Sequence, residues 1–177
     1  MNIKEAFKIL FRYSILIIIA ISNLYIFYKI FTPLTVYPVY FILKANYNAI
    51  LLEGNTIFFK GYYASIVPSC IAGAAYYLLL ILNLTTPMVL KKRIISLIFL
   101  ISTFLIINIL RIIIFASLFS IGYKYFDLTH KLTWYIGSTI IILFIWFINV
   151  LIFKIKEIPI YSDFKSLFLE IKKSYDL

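Results

Sequence analysis

The sequence predicts an all-α polytopic membrane protein with about four transmembrane helices, a short interfacial helix and an extracytoplasmic β-hairpin. Three observations carry this. Of 177 residues, 64% are apolar and 14% charged, against about 45–50% and about 25% in soluble domains. Mean hydropathy is +1.03. Uncharged runs longer than the ~18 residues needed to cross a bilayer recur along the chain. Five Gly and five Pro beside 19% aromatics exclude collagen-like and disordered classes. No internal repeat divides the chain, so residues 1–177 read as one integral membrane domain.

The first span is expected from Tyr13 to Tyr28, with Arg12 and Lys29 snorkelling to the interfaces. No small-residue cleavage site follows it, so it reads as a retained anchor. Pro33 and Pro38 then interrupt the pattern, and Leu34 to Leu43 is too short to cross, which predicts an interfacial or re-entrant helix ending near Lys44. In NAILLEGNTIFFKGYYASIV (48–67), Gly54-Asn55 and Lys60-Gly61 are turn signals between short aromatic and β-branched runs. This predicts a β-hairpin or pair of strands outside the hydrocarbon, where an open edge is tolerable.

Pro68-Ser69 opens the second span, from about Cys70 to Met88, with Ser69 as N-cap. The third runs from Ile94 to about Phe119 after the basic cluster Lys91-Lys92-Arg93. The fourth runs from about Thr129 to Phe153, capped by Asp127 and closed by Lys154 and Lys156. Residues 157–177 read as a cytoplasmic tail with a short surface helix.

The net charge of +10 would suggest nucleic acid in a soluble protein. Here the basic residues lie between apolar blocks, so they are topology signals and no nucleic-acid partner is expected. With a cytoplasmic N-terminus, the inside segments hold eleven: Lys4, Lys8, Arg12, Lys91, Lys92, Arg93, Lys154, Lys156, Lys165, Lys172 and Lys173. The outside segments hold five: Lys29, Lys44, Lys60, Lys124 and Lys131. The excess predicts a multi-pass cell-membrane protein with both termini cytoplasmic.

The chain holds one Cys and one His, which excludes an intramolecular disulfide and is too few for a usual zinc site. No metal or cofactor is expected. Cys70 opens the second span at its outer end, and His130 opens the fourth, also at its outer end. Arg111 is seventeen residues beyond Ile94, about 25 Å up the third helix at 1.5 Å per residue. The single Cys, the single His and the mid-span charge are therefore expected at one depth. Each has a plain structural reading: a small buried hydrophobe, an interfacial imidazole on a carbonyl, a guanidinium snorkelling to lipid phosphate. Against the last, a charge within a span costs at least about 2.5–3.5 kcal/mol and points to function by default.

Together they fit thiol acyl transfer. A helix N-terminus favours thiolate at Cys70, His130 would move the proton, and Arg111 would stabilise thiolate or oxyanion. Asn108, three residues before Arg111 on the same face, would orient the guanidinium or donate to the oxyanion, or simply pack as a helix amide. Tyr62, Tyr63 and the outer loops are candidates for substrate recognition.

The succession VPSCIAGAAYYLLLIL (67–82), NILRI (108–112) and DLTHKLTWYIG (127–137) resembles the exosortase/archaeosortase family, polytopic cysteine transpeptidases of prokaryotic membranes. The resemblance spans roughly Asn48 to Phe153. It implies that Cys70 is the nucleophile, Arg111 the essential arginine and His130 the third catalytic position. It further implies an exported protein substrate bearing a C-terminal motif, transmembrane helix and basic tail. That signal would be cleaved at the outer face and the acyl group passed to an acceptor such as a membrane lipid amine. Two features depart from the family: Cys70-Ile71-Ala72-Gly73 replaces the common Cys-Ser-Gly or Cys-Thr-Gly, and four spans are fewer than many members have. The Cys-Ile-Ala form followed by Tyr76 and Tyr77 is closer to archaeal members than to bacterial ones.

The rival reading is a non-enzymatic scaffold or small channel subunit, with Arg111 binding a partner carboxylate or lipid phosphate. A disulfide oxidoreductase would need a second Cys, and a rhomboid-type protease would need a Gly-x-Ser-Gly element that the sequence lacks.

Overall fold

The computed structural model describes residues 3–22, 24–161 and 168. The order is α1 (Ile3–Ile21), α2 (Tyr25–Tyr47), β1 (Ile50–Leu52), β2 (Thr56–Phe59), β3 (Tyr62–Ser65), α3 (Pro68–Ile71), α4 (Gly73–Leu84), α5 (Leu90–Ser120), α6 (Phe126–Leu132) and α7 (Ser138–Ile152). A π turn over Thr133–Gly137 joins α6 to α7. Three helical stretches are long and apolar enough to cross a membrane: Tyr25–Tyr47, Leu90–Ser120 and Phe126–Ile152. Ile9–Ile21 and Pro68–Leu84 are shorter apolar helices. The chain is thus mainly helical with one small sheet, consistent with an all-α membrane protein.

The first expected span divides. α1 ends at Ile21, where Ser22 Oγ donates to the Ile19 carbonyl at 2.8 Å, and Leu24 takes a left-handed conformation with φ 57°. A short hydroxyl that bonds its own backbone competes with the helix ladder. The chain re-enters a helix at Tyr25, and that helix runs through both Pro33 and Pro38. The separate interfacial helix expected over Leu34–Leu43 is therefore the middle of α2. The reason is packing: Phe27, Phe31, Thr35, Val39 and Leu43 recur every four residues and are all buried. In an apolar setting, Pro is tolerated inside such a helix because neighbouring elements support it.

The sheet is a three-stranded antiparallel meander, β1-β2-β3, one strand more than a hairpin. Both turns fall at the expected signals. Lys60 (φ 48°) and Gly61 (φ 80°) are both left-handed, as a tight two-residue turn requires. Ile57 and Phe59 alternate inward into the core.

Contacts give the helix directions. Arg12 Nη1 donates to the Leu84 carbonyl at 3.0 Å and Tyr77 Oη to the Leu16 carbonyl at 2.8 Å, so α1 runs antiparallel to α4. The Tyr76 ring sits between Phe31 of α2 (3.7 Å, stacked) and Phe104 of α5 (4.9 Å, edge-on). At the far end Tyr47 of α2 meets Phe59, whose strand partner Tyr62 meets Phe119 of α5. α2 and α5 therefore run in the same direction from Tyr76 towards the sheet.

The second expected span also divides. Ser69 does not cap it: Val67 holds the cap position and Pro68 is the first helical residue, where a missing N–H costs nothing. Ala72 is left-handed (φ 59°) and separates the single turn α3 from α4. A Cβ on Gly73 would lie 2.8 Å from the Tyr28 ring, so any larger residue there would have to push that ring aside. α4 stops at Leu84, short of Met88 and ahead of Pro87, which cannot continue the ladder, and Arg93 donates to the Asn83, Leu84 and Thr86 carbonyls at 2.6, 3.1 and 2.9 Å. Arg12 shares the Leu84 carbonyl, and Lys92 Nζ reaches the Lys154 carbonyl at 3.3 Å. Arg12, Lys92, Arg93 and Lys154 are thus gathered at one end of the molecule. Just inside it, Asn83 Nδ2 donates to Ser96 Oγ (3.0 Å), which donates to Asn149 Oδ1 (2.8 Å), binding α4, α5 and α7.

The last span starts at Phe126, three residues early, and Asp127 lies in its first turn without a cap bond. His130 consequently sits in the last turn of α6 rather than the first turn of a span. The tail helix expected within 157–177 lies almost wholly outside the described residues, as do Lys165, Lys172 and Lys173.

Candidate functional site

Cys70 is a free, half-buried cysteine in the single turn α3. Its N–H donates to the Val67 carbonyl at 2.8 Å. Its carbonyl accepts from Asn108 Nδ2 at 2.9 Å, so a buried amide on α5 holds the backbone of the α3 turn. Because Ala72 ends α3 after four residues, the aligned dipole expected at Cys70 shrinks to one turn, and the formal charge beside this turn comes from another helix.

That charge is Arg111, one turn beyond Asn108 on α5. The guanidinium lies close enough to Cys70 and Tyr76 to interact electrostatically with ionised forms of both. Arg111 Nη1 donates to Ser138 Oγ at 2.8 Å, and Ser138 Oγ donates to the Thr133 carbonyl at 3.2 Å. The π turn permits this: its wide register turns the Thr133 carbonyl towards Ser138, whose N–H also bonds it. Single π turns recur at functional positions for this reason. Ser138 takes one of five guanidinium N–H groups, leaving the others for a further anion or carbonyl. Arg111 and Ser138 line a cleft of about 440 Å³ together with Tyr28, Ser69, Ala72 and Trp134. Ser69, just before Cys70, and Ala72, two residues after it, thus open onto the cleft that holds the guanidinium, whereas Cys70 itself is not among its lining residues.

His130 is placed differently. Its ring stacks on Phe126 (5.4 Å, 12°) and meets the edge of Phe115 (5.1 Å, 69°). It is exposed and makes no hydrogen bond among the described residues. Phe115 lies one turn beyond Arg111 on α5, so the imidazole stands about 6 Å further along the helix axis. Cys70, Asn108 and Arg111 are brought together, whereas His130 belongs to an aromatic wall above them. The same wall includes Tyr62, which meets Phe119, which in turn meets Phe126. Tyr63 faces Phe58 at 4.9 Å and is largely exposed.

Ser138 and Thr133 were not among the residues singled out from sequence, and Tyr76 entered only through the archaeal likeness, not as a site residue. Gly137-Ser138-Thr139 is a polar break inside the last apolar run, a signal that could have found Ser138. Tyr76 carried none, since a tyrosine in an apolar helix reads as packing. The chain matches no protein-family model, no curated protein and no solved structure.

Proposed function

We propose that this protein is a membrane-embedded cysteine peptidase/transpeptidase of the exosortase/archaeosortase kind. It cleaves a C-terminal sorting signal of exported proteins at the outer membrane face and transfers the acyl group to an acceptor such as a lipid amine. The observation that carries the reading is the single unit formed by the Cys70 turn, Asn108 and Arg111 beside one cleft.

In this reading the chain crosses four times, the first pass being the broken α1–α2 and the others α3–α4, α5 and α6–α7. The gathering of Arg12, Lys92, Arg93 and Lys154 at one end supports a cytoplasmic face there. α5 is 31 residues long, about 46 Å, against a hydrocarbon core of about 30 Å. With Lys91–Arg93 at the inner interface, Arg111 stands near the outer boundary, where a motif beside a substrate helix would arrive. The Cys70 sulfur gives up its proton to a base and attacks the motif carbonyl, and the remaining guanidinium N–H groups of Arg111 face the developing oxyanion. The leaving amine takes a proton and a thioester remains, which the acceptor amine resolves. His130 is the proton carrier implied by the family resemblance, acting from the aromatic wall once substrate fills the cleft.

Cys70→Ala is expected to abolish processing of a co-expressed substrate with motif, helix and basic tail while the protein still inserts. Unchanged processing discards the mechanism. One observation favours the scaffold reading: Arg111 lines an open cleft with a hydroxyl as its hydrogen-bond partner, so it would also suit a partner's carboxylate. In that case Cys70 reacts with a polar alkylating reagent no faster than an ordinary thiol.

A further inference from the structure

Behind Cys70, three side chains each carry a buried oxygen that no hydrogen bond reaches among the described residues: Thr35 Oγ1, Tyr76 Oη and Asn108 Oδ1. Thr35 and Tyr76 are fully buried and Asn108 is 2% exposed. They come from three mutually packed helices, and helix register sets them at about one level. The Tyr76 ring lies between Phe31 and Phe104, and Thr35 and Asn108 each follow those phenylalanines by one helical turn. Since α2 and α5 run the same way here, both oxygens stand one turn nearer the sheet than the Tyr76 ring. α4 runs oppositely, and helix side chains lean towards their own N-terminus, which carries the Tyr76 hydroxyl to that same turn. The other end of the Asn108 amide holds the Cys70 carbonyl.

Polar groups in an apolar core are costly unless bonded, and the adjacent Tyr77 hydroxyl meets that requirement on the Leu16 carbonyl. The usual solution for a closed cluster of two to four polar partners is an internal water. We propose that Thr35, Tyr76 and Asn108 form a binding site for one ordered water, which fixes the Asn108 amide and through it the Cys70 turn. Thr35 and Tyr76 are thereby positioning residues, and the proposal stands whether or not the protein is a peptidase.

The test uses the full chain in detergent micelles, with thermal unfolding and the alkylation rate of Cys70 by a maleimide as the two readouts. Tyr76→Phe and Thr35→Val should each lower the unfolding midpoint by about 2–4 °C and speed alkylation at least threefold. Thr35→Ser, which keeps the hydroxyl, should match the parent in both. The double variant Thr35→Val with Tyr76→Phe should be no worse than either single, because one water is lost once. A raised midpoint in Tyr76→Phe would mean that the hydroxyl had no partner, and it overturns the proposal. Fully additive effects, or alkylation unchanged in both single variants, overturn it equally.

Discussion

The Asn108 side-chain amide donates to the Cys70 backbone carbonyl at 2.9 Å across 38 residues of sequence. This bond joins the one-turn helix carrying the thiol to the long helix carrying Arg111, so the two groups keep their spacing as a unit. Neither helix alone would place them.

Asn108→Leu should therefore loosen the α3 turn. A partly buried carbonyl left without its donor costs about 1 kcal/mol, and the loss should appear as a lower unfolding midpoint with faster Cys70 alkylation. An unchanged midpoint would show that the bond adds nothing to the site.

Arg111→Lys keeps the charge but loses the planar fork that reaches Ser138. Processing of a tripartite substrate should fall by about 10²-fold or more, the usual cost of one oxyanion donor. Parental processing in the lysine variant would rule out a role for guanidinium geometry.

His130→Phe preserves the aromatic stack with Phe115 and Phe126 while removing the proton-carrying nitrogens. Loss of processing by about 10²–10⁴-fold with an unchanged unfolding midpoint is expected of a general acid–base. Full processing would leave His130 as wall material only.

Gly73→Ala would drive a Cβ to 2.8 Å from the Tyr28 ring, and overpacking of this kind costs about 1–3 kcal/mol. Adding Tyr28→Ala should recover most of the loss in a double-mutant cycle. If Gly73→Ala is harmless, α2 does not press on α4 as described.

Arg93→Ala should lower the unfolding midpoint, since it strips donors from three carbonyls at the end of α4, while Cys70 alkylation stays at the parental rate. A changed alkylation rate would mean that the two ends of α4 are coupled.

Much of the architecture was legible in the residues. Apolar runs marked the long helices, and Gly54-Asn55 and Lys60-Gly61 marked both sheet turns, because glycine and asparagine enter left-handed backbone at least cost. The breaks and continuities were not legible. Pro33 and Pro38 read as interruptions, yet a four-residue stripe from Phe27 to Leu43 packs well enough to carry the helix through. Ala72 read as ordinary helix, yet it turns left-handed and divides α3 from α4.

The candidate site divides in the same way. Composition and hydropathy alone determined a membrane-type chain with one thiol, one imidazole and one deep guanidinium, since transfer out of water depends on residue type within a short window. Tertiary structure alone decided that Asn108 grips Cys70, that Ser138 just after a π turn receives Arg111, and that His130 stands one turn away among aromatic rings. Those outcomes depend on how helices distant in sequence press together, where each hydrogen bond and ring contact needs a partner that no local pattern specifies.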